Sequence, residues 1–75
     1  MKLRFTLYSR SYCHLCEDMA RELRARGIAF DEADVDADAQ LDARYGELVP
    51  VLVGPDGSEI CHYFLDEAAL ARTLA

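Results

Sequence analysis

Leu7-Tyr8-Ser9-Arg10-Ser11-Tyr12-Cys13-His14-Leu15-Cys16 is the stretch on which the fold turns. Ahead of its end, Leu3, Phe5 and Leu7 alternate with Lys2, Arg4 and Thr6, a period of two that marks a strand with one buried face. Beyond it, Leu15, Met19 and Leu23 recur every four residues and share one face of a helix. The polar joint between them, Ser9 to Ser11, delivers a Cys-x-x-Cys pair to the helix start. Glu17 and Asp18 in the first turn and Arg21, Arg24 and Arg26 further on complement the helix dipole. Glu17–Arg21 and Glu22–Arg26 are spaced for i, i+4 ion pairs, and Gly27 is the predicted stop.

The remaining elements follow from similar signals. Ile28-Ala29-Phe30 opens a second strand that ends near Val35, and Asp31, Glu32 and Asp34 predict an edge position for it. Asp36 is the expected N-cap of a short helix, with Asp38 in its first turn, Ala37, Leu41 and Tyr45 on its inner face and Gly46 at its end. The acidic run from Asp31 to Asp42 is read as edge and cap residues ahead of a metal site. Leu48-Val49-Pro50-Val51-Leu52-Val53 is a continuous apolar run, the signature of a buried strand, with Pro50 near its start forcing Val49 to be extended. Gly54-Pro55-Asp56-Gly57 predicts a tight turn into an antiparallel strand over residues 58–63. Asp66 caps a last helix, Leu65 and Leu70 are spaced for a hydrophobic staple, and Leu70 and Leu74 are expected to point inward. The order is β-α-β-α-β-β-α, with the first three strands expected to be mutually parallel and a hairpin supplying an antiparallel edge.

Composition narrows the function. The chain has 75 residues, 52% of them hydrophobic, with four Gly and two Pro, which excludes a disordered or collagen-like polypeptide. That length predicts one domain, residues 1–75, whose folding buries only roughly 60% of the unfolded surface. No apolar run approaches the roughly 18 residues of a membrane helix, and no leader-like segment opens the chain, so a cytoplasmic, membrane-free protein is expected. The net charge is −6. Residues 1–30 carry six basic and three acidic side chains, whereas the rest carries two Arg against eleven carboxylates. An acidic chain is a poor general nucleic-acid binder.

Three cysteines are too few for a disulfide scaffold, and Cys13 and Cys16 at i, i+3 point to redox or metal chemistry. A disulfide needs Cα atoms roughly 4.4–6.8 Å apart, which one helical turn provides. Cys13 at the helix N-terminus would meet unpaired N–H groups that favour a thiolate, while Cys16, one turn inside, is less exposed. Cys13 is then the attacking sulfur and Cys16 the resolving one.

At this point the chain resembles a glutaredoxin of the thioredoxin-like superfamily, near the short bacterial glutaredoxin-like proteins. The residues that carry the likeness are Leu7-Tyr8-Ser9-Arg10 ahead of Cys13-His14-Leu15-Cys16, Leu48-Val49-Pro50 later, and the element order. The resemblance implies a three-layer α/β fold on a four-stranded mixed sheet and thiol–disulfide oxidoreductase activity on protein disulfides or glutathione mixed disulfides. It implies that Pro50 is a cis-proline facing the redox pair and that the backbone of Val49 pairs with an extended substrate. Tyr12, His14 and Leu15 border the same site, and Arg10 stands where dithiol glutaredoxins commonly carry Lys, a cation able to hold a glutathione carboxylate. No cofactor is required; a monomer is expected, with glutathione or a thioredoxin-type protein as electron source. The chain departs from the family at Cys61-His62-Tyr63-Phe64-Leu65-Asp66, where glutaredoxins carry a Gly-Gly pair and an Asp that grip glutathione. His14 likewise replaces the usual Pro. Cys61 reads as a small buried strand residue, or as a third thiol that could join Cys13, Cys16 and His62 around zinc. A noncatalytic peptide-binding module is the other alternative.

Overall fold

The structure, a computed structural model, describes residues 4–75. Leu3, expected to begin the first strand, lies outside the described residues. The elements are β1 (Phe5–Ser9), α1 (His14–Ala25), β2 (Phe30–Asp34), a 3-10 turn (Val35–Ala37), α2 (Ala39–Tyr45), β3 (Val51–Val53), β4 (Glu59–His62) and α3 (Glu67–Leu74). The strands form one mixed sheet in the order β2-β1-β3-β4. The expected α/β architecture of three layers on four strands is present.

Each strand's alternation assigns its residues to two cores. Leu7, Leu52 and Cys61 are partners across β1, β3 and β4, so their side chains share one face of the sheet. That face, with Phe5, packs against Met19, Ala20 and Leu23 of α1 and Leu70 of α3. The opposite face holds Tyr8, Val51 and Val53 under Val35 and Tyr45. Tyr8 stacks on Tyr45 with ring centroids 4.3 Å apart. β3 is buried on both faces, which explains why its sequence shows no alternation. Replacing a fully buried leucine such as Leu7, Leu23 or Leu52 by alanine would cost about 2–5 kcal/mol, a large share of the stability of so small a fold.

The strand directions differ from the expectation in one respect. β1 and β2 are parallel, but β3 runs antiparallel to β1. A parallel return would need a connection running back along the sheet. The chain between Asp34 and Val51 instead forms a 3-10 turn and a helix of seven residues. At about 1.5 Å per residue that helix is about 10 Å long, close to two strand spacings of about 4.8 Å. It steps over the end of β1 and sends β3 back the other way. β2 does sit at the sheet edge, as its polar residues predict.

Local signals set most helix ends. α1 stops at Gly27 (φ +69°), where Gly27 N–H donates to the Arg24 carbonyl and Ile28 N–H to that of Leu23. This is a Schellman motif, and its left-handed residue favours glycine. Asp66 caps α3 by accepting the Ala69 N–H at 3.0 Å, with Leu65 and Leu70 in the core around it. The cap of α2 is Asp38 rather than Asp36, because Val35 is drawn into the core and starts the 3-10 turn, which Asp34 caps. Ala37 therefore lies before α2 and is exposed. Leu74 is exposed as well, since α3 turns Leu70 and Thr73 toward the body. The two i, i+4 pairs expected on α1 are absent: Arg21 binds Asp18, and Arg26 reaches Glu67 at the start of α3.

In the Gly54–Gly57 turn, the Asp56 carboxylate accepts the Ser58 N–H and hydroxyl at 3.0 and 2.7 Å. The hydroxyl, then the N–H, hold that carboxyl below the usual carboxylate range. A folded-state value below the unfolded one gives a stabilisation that is fully present at pH above the unfolded value, declines below it and is lost as pH falls through the folded value. In urea titrations, wild type should therefore lose its advantage over Asp56→Asn below about pH 4. Asp66→Ala should cost about 1 kcal/mol by the same measurement at neutral pH.

Candidate active site

The site is built where β1 ends and α1 begins. The alternation of Phe5 and Leu7 carries the chain to Ser9, and the segment 10–12 turns it onto the sheet face that α1 covers. Tyr12 makes the turn in the left-handed region (φ 59°), which bulky side chains rarely occupy, with its ring fully in solvent. Cys13 follows as the N-cap residue of α1.

Helix N-caps are ordinarily oxygen side chains that accept one of the first free N–H groups. Here a sulfur does so: Cys13 Sγ accepts the Cys16 backbone N–H at 3.1 Å. The two cysteines are bonded, with Cα atoms 5.2 Å apart. Cys13 is half-buried, whereas Cys16 is only 4% exposed. One sulfur faces outward and the other lies beneath it.

Val49 and Pro50 enter from the second core. The last pair of the β1–β3 ladder is Tyr8 with Val51, so Pro50 joins the sheet at the end of β1 from which the chain departs for Cys13. The Val49–Pro50 bond is cis, and Pro50 is fully buried. Tyr63 straps this segment: its N–H donates to the Pro50 carbonyl at 2.9 Å and its hydroxyl to the Glu47 carbonyl at 3.0 Å. Tyr63 is also left-handed, with φ 65°.

Arg10 departs from its expected role as a free cation. Its guanidinium bonds Asp36 at 3.1 Å and also Asp42, tying the joint before Cys13 to α2. A Cβ on Gly46 would run into Asp42, so glycine there leaves room for this contact. The acidic run finds its purpose in such bonds: Asp31 pairs with Arg4, Glu32 with Arg24, and Asp34 and Asp38 cap turns. His14 is exposed, 3.9 Å from Glu17. Leu15, in the first turn of α1, is half-buried.

Cys61 and His62 do not join the pair. They are neighbours on β4 and project to opposite faces: Cys61 into the core, His62 to Glu59 at 2.9 Å. Among the described residues no group of three or more His, Cys, Asp or Glu could hold a metal. Burial pushes the Cys61 thiol up. From the sequence, Phe64 stood out only as part of the segment 61–66 that departs from the family pattern, not as an exposed apolar side chain. It is 69% exposed, beside Leu15 and Leu65 along α1. The available signal was an aromatic doublet, Tyr63-Phe64, squeezed between a strand and an N-cap with no periodic place to bury.

A cysteine pair capping the first helix of a mixed β2-β1-β3-β4 sheet, with a cis-proline ahead of β3, defines a thioredoxin-like protein. Solved structures agree. Protein Ne2328 from Nitrosomonas europaea is 31% identical with a TM-score of 0.87, over 96% of this chain and 91% of that one. Protein XcR50 from X. campestris is 41% identical with a TM-score of 0.78, over 93% of each chain. The thioredoxin-like protein BC3987 shares the fold at 22% identity, with a TM-score of 0.68, over 92% of this chain and 97% of that one. The family model "Glutaredoxin-like domain (DUF836)" matches residues 4–75, and the chain belongs to that glutaredoxin-like family. No curated protein matches it. Among the described residues, no helix is long and apolar enough to cross a membrane.

Chemical labelling checks the placement of the sulfurs. After reduction, Cys13 should alkylate first, Cys16 later, and Cys61 only on unfolding. Peptide mapping that found Cys16 or Cys61 modified first would contradict the arrangement.

Proposed function

We propose that this protein is a thiol–disulfide oxidoreductase that reduces protein disulfides or glutathione mixed disulfides. The observation that carries the reading is the Cys16 N–H donated to the Cys13 sulfur. Amide donors at a helix N-terminus stabilise an anionic sulfur more than a neutral one, and hydrogen bonds to ions are about twice as strong as neutral ones. A purely structural disulfide needs no such asymmetry between an outer and an inner sulfur.

In the reduced protein, the Cys13 thiolate attacks one sulfur of a substrate disulfide. The substrate S–S bond breaks, a mixed disulfide forms on Cys13, and the first substrate sulfur leaves as a thiolate. Cys16 gives up its proton and attacks Cys13 Sγ, closing the Cys13–Cys16 bond and releasing the second substrate thiol. Two electrons pass to the substrate. An external dithiol protein or two molecules of glutathione return them. The backbone at Val49 offers an extended substrate its hydrogen-bonding groups, Tyr12, His14 and Leu15 border the attacking sulfur, and Arg10 braces the joint through its two carboxylates. The domain is taken to act as a monomer in the cytoplasm, with no bound cofactor.

Turnover of a protein disulfide and of a glutathione mixed disulfide should be compared in wild type, Cys13→Ser and Cys16→Ser. Cys13→Ser should lose both activities by at least about 10³-fold, as expected when a covalent nucleophile is removed. Cys16→Ser should stall as a trapped mixed disulfide visible by mass spectrometry. Wild-type turnover that survives Cys13→Ser would refute the proposal.

A further inference from the structure

Two grooves flank α1. One, of about 620 Å³, lies between α1 and the edge strand β2 and is polar. The other, of about 380 Å³, lies between α1 and the segment 63–65, with Leu15, Met19, Tyr63, Phe64 and Leu65 in its walls. Leu15, between the two cysteines in the first turn of α1, forms part of that wall, so one end of this second groove starts in the turn that carries the pair. Phe64 is largely exposed and Tyr63 is 40% exposed. The latter's left-handed backbone is held by its bonds to Pro50 and Glu47, and Phe64 N–H bonds the His62 carbonyl at 2.7 Å, so the aromatic wall is built rather than loose.

The charge around this wall has one sign left over. Every Arg lining the two grooves is already held by a carboxylate: Arg10 by Asp36 and Asp42, Arg21 by Asp18, Arg24 by Glu32. Glu22, on the rim of the apolar groove, makes no side-chain ion pair among the described residues, and Glu17 meets only His14. A small anionic thiol such as glutathione therefore finds no free cation along α1. An apolar floor with an acidic rim fits a different occupant.

We infer that the groove between α1 and Tyr63-Phe64-Leu65 seats a bulky apolar side chain of an extended, cationic polypeptide next to its disulfide, so that the site selects basic protein substrates over glutathione. The inference rests on the thiol–disulfide reading above. The apolar side chain buries Phe64 and Leu15, and a neighbouring Lys or Arg of the substrate meets Glu22. The electron bookkeeping is that already given, with the substrate's disulfide as the oxidant.

The test is a single turnover of the fully reduced protein, which needs no added reductant. Three probes are used: a disulfide peptide with leucine and lysine beside its cysteine, its twin with serine and glutamate there, and oxidised glutathione. The first should react at least about tenfold faster than the other two, equivalent to about 1.4 kcal/mol. About 1 M salt, where the screening length falls to roughly 3 Å, should erase the part of the preference due to charge. Glu22→Gln should lower the preference ratio and remove its salt dependence, and Phe64→Ser should lower the ratio while leaving its salt dependence. Both positions are exposed, and circular dichroism checks that the variants fold. Equal rates on all three probes, glutathione fastest, or ratios unmoved by both variants would overturn the inference while leaving a Cys13-dependent oxidoreductase in place. A groove filled by a second copy of the chain, shown by a dimer that Phe64→Ser dissociates, would overturn it as well. If none of the three probes reacted through Cys13, the redox reading on which it rests would fall instead.

Discussion

A helix N-terminus must find acceptors for its first N–H groups, and in this protein one of them is the sulfur of Cys13. That single hydrogen bond joins folding to chemistry. As an N-cap it helps start α1, whose inner face supplies much of the larger core. As a donor to sulfur it stabilises the charge that a thiol must carry before it can attack. The same contact brings Cys16 one turn below Cys13, close enough to bond and nearly out of solvent.

The rest of the fold holds this contact in place from three sides. β1 delivers the joint before Cys13, and its buried Phe5 and Leu7 anchor the strand against α1. Arg10 then ties that joint to α2 through Asp36 and Asp42. Exposed ion pairs are individually worth about 0–1 kcal/mol, so this clamp matters for position more than for stability. From the third side, Tyr63 pins the entry of β3 through two carbonyls, at Pro50 and Glu47. Left-handed backbone at Tyr12 and Tyr63 costs of order 1–3 kcal/mol each, and both residues border the site. At Tyr63 the bonds to Pro50 and Glu47 hold this conformation in place.

Charge gives the site its character. Each carboxylate of the stretch from Asp31 to Asp42 has a structural partner, whether an Arg or a free backbone N–H. The consequence is a cysteine pair whose neighbouring arginines are all engaged by carboxylates. The family resemblance implies a cation at Arg10 able to hold a glutathione carboxylate, while after β4 the sequence already lacks the family's Gly-Gly grip. The structure has a neutralised Arg10 and an aromatic wall in those two places.

The sequence by itself determined what is local. Periodicity located the strands and helices, Gly27 and Asp66 marked their ends, polar residues put β2 at an edge, and the i, i+3 spacing put two cysteines within bonding reach at a helix start. Such signals depend on a residue's own backbone and on neighbours within one turn, so they are written in the order of the residues. Only tertiary structure decided the rest. The antiparallel run of β3 depended on how far a seven-residue helix can reach across a sheet. The shift of the α2 cap from Asp36 to Asp38 depended on the core's demand for Val35. Which carboxylate held Arg10, and on which face of β4 Cys61 and His62 fell, depended on groups brought together from distant parts of the chain. Ion pairs and packing act through space, and no spacing along a sequence states that distance.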